Sequence, residues 1–261
     1  MNDDPGFARV QTTRVFEEIA SQIRVRLATG RLRPGDRLPS ERDLAQQLGV
    51  GRNSVREALR SLEVSGILRL HKGGAGGAFI AQPTGDVVVS AMQDMYQLGA
   101  ITPQQFTEAR IGLSDLVVRL ACQRYTEDDL QQLEANVEAA TRASERHDYV
   151  SRARISLEFH QILSRATRNP LLMAMTNGML QIMGQFIDRL GAPSGPYVLP
   201  SRKAFLRHLR KRDAASASAE MTKLLHRVHS YYLSQIPEAP SPAAAAGDAK
   251  APGNGPKRRM N

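Results

Sequence analysis

The 261 residues carry 35 Lys+Arg against 26 Asp+Glu, a formal charge of +9, with 41% apolar residues and one cysteine. A chain of this length holds two domain cores more naturally than one, and its basic surplus invites a polyanionic partner. The lone Cys122 excludes an intramolecular disulfide and fits a reducing, cytoplasmic compartment; with no apolar run of about 18 residues and no leader pattern at Met1–Val10, neither membrane spanning nor export is expected.

Val15, Ile19, Ile23 and Leu27 recur every four residues, a helical spacing that Gly30 ends. Pro34-Gly35-Asp36 reads as a turn. A second helix starts at Pro39-Ser40-Glu41-Arg42-Asp43, where the Ser40 hydroxyl caps and Asp43 stands at the capping-box position. Leu44, Ala45 and Leu48 form its apolar face, and Gly49 closes it. A third helix runs from about Arg52 to Ser65, with Val55, Leu59 and Leu62 turned inward. Ile67–Leu70 and Ala78–Ala81 then read as short strands around Gly73-Gly74-Ala75-Gly76-Gly77. Residues 10–83 are therefore expected to form one domain of three helices plus a β-hairpin.

Residues 84–236 show no alternating strand pattern. Amphipathic segments fall at 86–98, 103–124, 126–147, 150–166, 170–190, 201–211 and 213–235, and their short connections predict an all-α antiparallel bundle. Asn169 caps one of these helices, with Pro170 at its first position. The chain is thus mostly α. Residues 237–261 lack large apolar side chains until Met260 and are expected to be a disordered tail with a basic end, Lys257-Arg258-Arg259. The basic excess is densest in this tail and in the first third, where residues 1–83 hold 13 Lys+Arg against 9 Asp+Glu.

Two short helices flanking Leu48-Gly49-Val50-Gly51 make a helix-turn-helix, because glycine permits the backbone turn between them. The second of the pair carries Arg52, Asn53 and Arg56 opposite its apolar face. Residues at the start of such a helix reach base edges in the major groove, where arginine donates twice to guanine O6 and N7. Ser40, Asn53 and Ser54 suit phosphates. The glycine loop, opened by Lys72 and Gly73, is slim enough for a minor groove. Spacing alone describes equally well a small three-helix unit with solvated arginines.

The run Leu32-Arg33-Pro34-Gly35-Asp36-Arg37-Leu38-Pro39-Ser40-Glu41-Arg42-Asp43-Leu44-Ala45, with Gly49-Val50-Gly51-Arg52-Asn53-Ser54-Val55-Arg56-Glu57-Ala58-Leu59, resembles the GntR family of bacterial regulators. Leu62-Glu63-Val64-Ser65-Gly66-Ile67-Leu68 and the glycine loop extend the resemblance over residues 15–81. It implies a winged helix-turn-helix, with Arg42, Arg52 and Arg56 on operator bases and the wing at Lys72 and Gly73 in the minor groove. Gly51 departs from the family's usual Ser or Thr, which removes one hydroxyl contact to phosphate. One winged domain reads only a few base pairs, so a homodimer on a palindromic double-stranded operator is expected.

The helical second domain resembles the FadR-like branch, or FCD domain, through Phe159-His160, Asn169-Pro170-Leu171 and Arg212-Asp213 in order. This implies effector binding and dimerisation by residues 84–236. Many FCD domains hold a metal with one aspartate and three histidines; the corresponding positions here are Ser156, His160, Arg202 and Leu224. Three of four ligands are replaced, so no metal or other cofactor is expected. His226 and His229 leave a shifted site, and with it a short-carboxylic-acid sensor, as the alternative. Met175, Met179 and Met183 recur every four residues and serve either as core packing or as an adaptable wall for an apolar ligand. Asn169-Pro170 with Asn177-Gly178-Met179 resembles the acyl-CoA sensors of the branch, so a fatty acyl-CoA or fatty acid, held by His160, Arg202 and these methionines, is the first effector expected. The run Arg202, Lys203, Arg207, Arg210, Lys211 and Arg212 either offers cations to a carboxylate or CoA phosphate or is a solvated face.

No paired carboxylates, nucleophile elbow or phosphate loop are recognisable, and Gly73–Gly77 lacks the Gly-Lys-Ser/Thr ending of a P-loop. No catalytic residues are expected. A nucleoid protein that only coats DNA has no use for a large helical second domain. The residues describe an effector-responsive repressor rather than an enzyme.

Overall fold

The computed structural model describes residues 13–73 and 76–235. In chain order they form α1 (Thr13–Ala28), α2 (Glu41–Leu48), α3 (Arg52–Val64), β1 (Leu68–His71), β2 (Gly77–Ile80), α4 (Asp86–Gln97), α5 (Pro103–Arg124), α6 (Glu127–Glu145), α7 (Tyr149–Ala166), α8 (Pro170–Leu190), α9 (Val198–Arg210) and α10 (Ala214–Gln235). The tail at 237–261 and the loop residues Gly74 and Ala75 lie outside the described residues.

The chain divides into two compact units. The first runs to Leu98 and adds Asn169–Gln181, so the sequence boundary at 83/84 falls inside it. Its core is built on α3, which packs against α1, α2 and β1. Val55, Ala58 and Leu62 have no exposed surface, and Ile19, Ile23, Leu44, Leu68 and Ile80 close around them. The two strands pair antiparallel, Leu68 opposite Ile80 and His71 opposite Gly77. The Pro34–Asp36 turn joins this hairpin as a third edge. There Leu38 N–H donates to Ala78 O at 2.8 Å, Ile80 N–H to Asp36 O at 2.8 Å and Gly35 N–H to Ile80 O at 2.9 Å, while the Asp36 carboxylate accepts from Arg33 N–H at 2.7 Å. The connection between α1 and α2 is thereby tied to the wing.

The second unit comprises Gly99–Arg168 and the chain from Ile182. In it α6 packs on α7 and α9, and α5 on α7 and α10, with α9 also against α10. Capping boxes at Thr102 with Gln105 and Thr126 with Asp129 satisfy the orphan N–H groups that open α5 and α6. Helix α9 starts three residues earlier than the spacing suggests, at Val198, with Pro200 inside its first turn. The first-turn N–H groups have no intrahelical acceptor, so proline is tolerated there rather than marking a boundary.

Gly85 opens α4 in the left-handed region, φ 78°, and a Cβ there would lie 2.5 Å from the Ala174 Cβ. Gly85→Ala therefore combines about 1–2 kcal/mol of backbone strain with a forced shift of α4 against the first half of α8. Calorimetry should show a melting temperature lower by about 5 °C; an unchanged transition would contradict this packing.

Candidate functional site

On the first unit, the opening turns of α3 present Arg52, Asn53 and Arg56 to solvent, with Ser54 half-buried beside Val55. Arg42 is exposed on α2, and Lys72 and Gly73 are exposed just past β1, Gly73 with φ 104°. Gly51 caps α3 through its backbone alone, with no side-chain hydrogen bond. The Ser40 hydroxyl accepts from Asp43 N–H at 3.2 Å and donates to the Asp43 carboxylate at 2.8 Å, so the acid closes on the hydroxyl. Arg56 forms a side-on pair with Glu41, its Nη2 at 2.8 Å from Oε2. That hydrogen bond, aided by the charges of Arg56, Arg52 and Arg60, outweighs the opposing effect of burial and holds the Glu41 carboxyl below its usual range.

The wing is braced from two sides. Arg37 donates to Gly76 O and lies 5.7 Å from the centre of the Phe79 ring. The Glu63 carboxylate on α3 accepts from Leu70 N–H at 3.1 Å. The described flanks of the glycine loop, Leu70 and Gly76, are thus tied to α3 and to Arg37.

The second unit contains a cavity of about 50 Å³, lined by the inner faces of its helices. Arg152, Ser156 and His160 step along α7 at four-residue intervals, facing Arg110 of α5, Met183 of α8, Arg202 of α9 and Leu224 of α10. Arg110, Arg152, His160 and Arg202 are all buried. No acid lines the cavity, and none of its three arginines forms an ion pair among the described residues. Arg202 lies 4.0 Å from the centre of the Phe159 ring, with Nη2 2.9 Å from His160 Nε2. Its Nε is buried without a partner among the described residues. Arg152 donates to Pro193 O, holding the loop after α8 beside the cavity. Burial pushes the Arg110 guanidinium down to about 10 and, with the charge of Arg110 added, that of Arg202 down to about 9. Both remain cationic at neutral pH. Burial first, then the charges of Arg202 and Arg110, keep His160 well below the usual 6.5.

The four positions corresponding to the metal ligands of the branch, Ser156, His160, Arg202 and Leu224, do converge on this cavity, but they do not suit a metal. Leucine coordinates nothing, and the guanidinium is a fixed cation that occupies the Nε2 lone pair of His160. His226 and His229 lie elsewhere, on a separate cleft with Gln104 and Glu108. His229 is buried there, with Nε2 3.2 Å from Pro103 O, and no metal-competent group of three His, Cys, Asp or Glu exists among the described residues. Of the methionine stripe, only Met183 lines the cavity. Met179 is buried and Met175 half-buried earlier along α8, in the stretch belonging to the first unit. Arg110 and Arg152 escaped the sequence reading. Arg152 was within reach, four residues before Ser156 on the face that carries His160.

Residues 16–79 match the model of the bacterial regulatory proteins of the gntR family, and residues 105–227 match that of the FCD domain. An uncharacterized HTH-type transcriptional regulator of Mycobacterium tuberculosis is 33% identical over 175 residues, 66% of this chain and 69% of that one. The chain belongs to the GntR family. The HTH-type transcriptional repressor NanR of Cronobacter sakazakii is similar to this GntR protein at 27% identity over 223 residues, 82% of each chain. A solved GntR structure from Streptococcus agalactiae shares the fold, with a TM-score of 0.58 and 24% identity over 82% of this chain and 99% of that one. This GntR protein is a transcriptional regulator, not an enzyme, with a helix-turn-helix DNA-binding domain followed by a helical effector-binding domain. No helix among the described residues is long and apolar enough to cross a membrane.

His160 and His229 are both held neutral in the folded chain, His229 near 4 by burial and the neighbouring charges of Arg110 and His226. The unfolded chain, with ordinary histidines, binds more protons below pH 6.5, so stability is full above that pH and falls as pH drops through it. Each histidine contributes up to about 1.4 kcal/mol per pH unit over that range. Melting temperatures should decline from pH 7.5 to pH 5, less steeply in His160→Gln; equal slopes in the two proteins would refute the buried neutral imidazole.

Proposed function

We propose that this regulator is a repressor that binds a palindromic double-stranded operator in the cytoplasm as a homodimer, and that a compact anionic effector in the helical domain sets its DNA affinity. Residues 10–83 read the DNA, and residues 84–236 sense the effector and pair the protomers. Base reading falls to Arg42, Arg52 and Arg56, phosphate contact to Ser40, Asn53 and Ser54, and the minor groove to Lys72 and Gly73. The repressor sign follows NanR, a relative named as one.

One observation carries the effector reading: three buried guanidiniums and an imidazole surround the cavity with no acid among its lining residues. Buried cations without an anionic partner are costly, and a carboxylate that accepts their hydrogen bonds and offsets their charge relieves that cost. At about 50 Å³, against the ~10–15 Å³ that admits one water, the cavity fits a few non-hydrogen atoms. This favours a short carboxylic acid over the acyl chain suggested by the methionines, and it needs no metal.

Arg52→Ala should remove about 1–3 kcal/mol of base discrimination at fixed salt. Anisotropy titrations against a selected operator and a scrambled duplex would measure it, and an equal loss on both would refute base reading. Ultracentrifugation should find a dimer on each operator; one protomer per operator would refute the pairing.

For the effector, chelator-treated protein should be melted with a panel of short mono-, di- and tricarboxylates, fatty acids and acyl-CoAs. A short acid at about 100 times its Kd should add about 2.7 kcal/mol of stability and change operator affinity, and Arg202→Met should abolish both effects. Response to acyl-CoA alone, or loss of response on chelation, would overturn this reading.

A further inference from the structure

The Arg56–Glu41 pair joins the second turn of α3 to the first residue of α2. Its geometry is side-on: Arg56 Nε lies 3.2 Å from both carboxylate oxygens, and Nη2 lies 2.8 Å from Oε2. A guanidinium has five N–H donors in a fixed plane. This pairing commits the Nε–H and one Nη2–H and leaves three donors, two on Nη1 and one on Nη2, of which one from each nitrogen forms the end-on edge. That end-on edge is the fork able to donate to guanine O6 and N7. The carboxylate and a base therefore engage different edges of the same side chain and do not compete.

Two further facts give the pair a purpose other than stability. Both side chains are partly exposed, at 45% and 33%, and pairs of this kind contribute little to folding. Glu41 also sets a negative charge among Arg52, Arg56 and Arg60 on the surface that meets a polyanion, which lowers phosphate attraction for every sequence alike. Arg52, one turn earlier on α3, forms no ion pair among the described residues.

We infer that Glu41 is a positioning residue, fixing Arg56 so that its end-on edge reads one guanine per half-site, at the expense of general DNA affinity. The inference rests on Arg56 reading a base, as proposed above. A guanidinium locked in its plane loses less freedom on docking and tolerates less displacement toward another base. Arg56 then discriminates more sharply than a free arginine such as Arg52.

The test uses the full chain and a pool of randomised duplexes. Wild type, Glu41→Gln, Glu41→Asp, Arg56→Ala and Arg52→Ala each select from the pool, and sequencing gives the relative affinity for each base at each position. Affinity for one non-selected duplex is measured at fixed salt, and each variant is melted. Arg56→Ala should flatten one base pair in each half-site. Glu41→Gln should weaken the preference at that same base pair by about tenfold, leave the pair lost in Arg52→Ala untouched, bind the non-selected duplex more tightly and melt as wild type does. Glu41→Asp, which keeps the charge, should recover part of the preference. A Glu41→Gln profile equal to wild type overturns the inference, as does uniform flattening of all positions. If Arg56→Ala flattens no position, base reading by Arg56 fails and the inference with it; if only the glutamate variant is silent, base reading stands and the positioning role alone is lost.

Discussion

A guanidinium carries only donors, so the 2.9 Å contact between Arg202 Nη2 and His160 Nε2 requires a neutral imidazole protonated at Nδ1. Much of the helical domain's chemistry follows from that contact. The lone pair that would otherwise coordinate a metal is spent on the arginine, and burial with two nearby cations keeps the ring from protonating. With the Phe159 ring beneath it, Arg202 is held in one plane from two directions. What remains is a rigid positive edge beside Arg110 and Arg152, in a cavity whose other walls are largely apolar.

Arginine serves this protein in two dielectric regimes. On α3 and α2 the guanidiniums are exposed, so any anion they meet is held through forces that salt screens. In the cavity the same group is stripped of water, which lowers its pKa yet strengthens its hold on any anion that reaches it. The exposed set acts through water and salt, and the buried set acts almost free of both.

The DNA-reading half was largely legible in the sequence because its signals are local. Ser40 caps α2 as its position suggested, Gly49 and Gly51 bracket the turn, and the inward positions Val55, Leu59 and Leu62 are buried. Its braces were not legible. Arg37 on Gly76 and Glu41 on Arg56 join residues 39 and 15 positions apart, and no periodicity announces such a pair. In the helical half, spacing gave every helix but misplaced the start of α9, where Pro200 imitated a boundary. The positions matching the metal ligands gathered as the resemblance implied. Of the methionine stripe only Met183 gathered with them, because a helix of 21 residues is long enough to carry its two ends into different packing units. Arg110 lay hidden between Phe106 and Leu113 on an apolar stripe, where a charged residue is the signal to follow, and Arg152 stood in view on the face of Ser156 and His160.

The four positions around His160 also constrain how such a domain changes by descent. They face one cavity, so the metal-ligand set that the resemblance implies and the set present here differ at three positions sharing one space. The order in which those substitutions accumulate is not free. While Arg202 stays, an aspartate at Ser156 acquires a cation beside it rather than a metal, and a histidine at Leu224 adds a ring beside a charge that repels any divalent ion. Replacement of Arg202 must come first, because it frees the imidazole and removes the repulsion together. While the guanidinium stays in place, no change at the other two positions alone suffices to hold a divalent ion there.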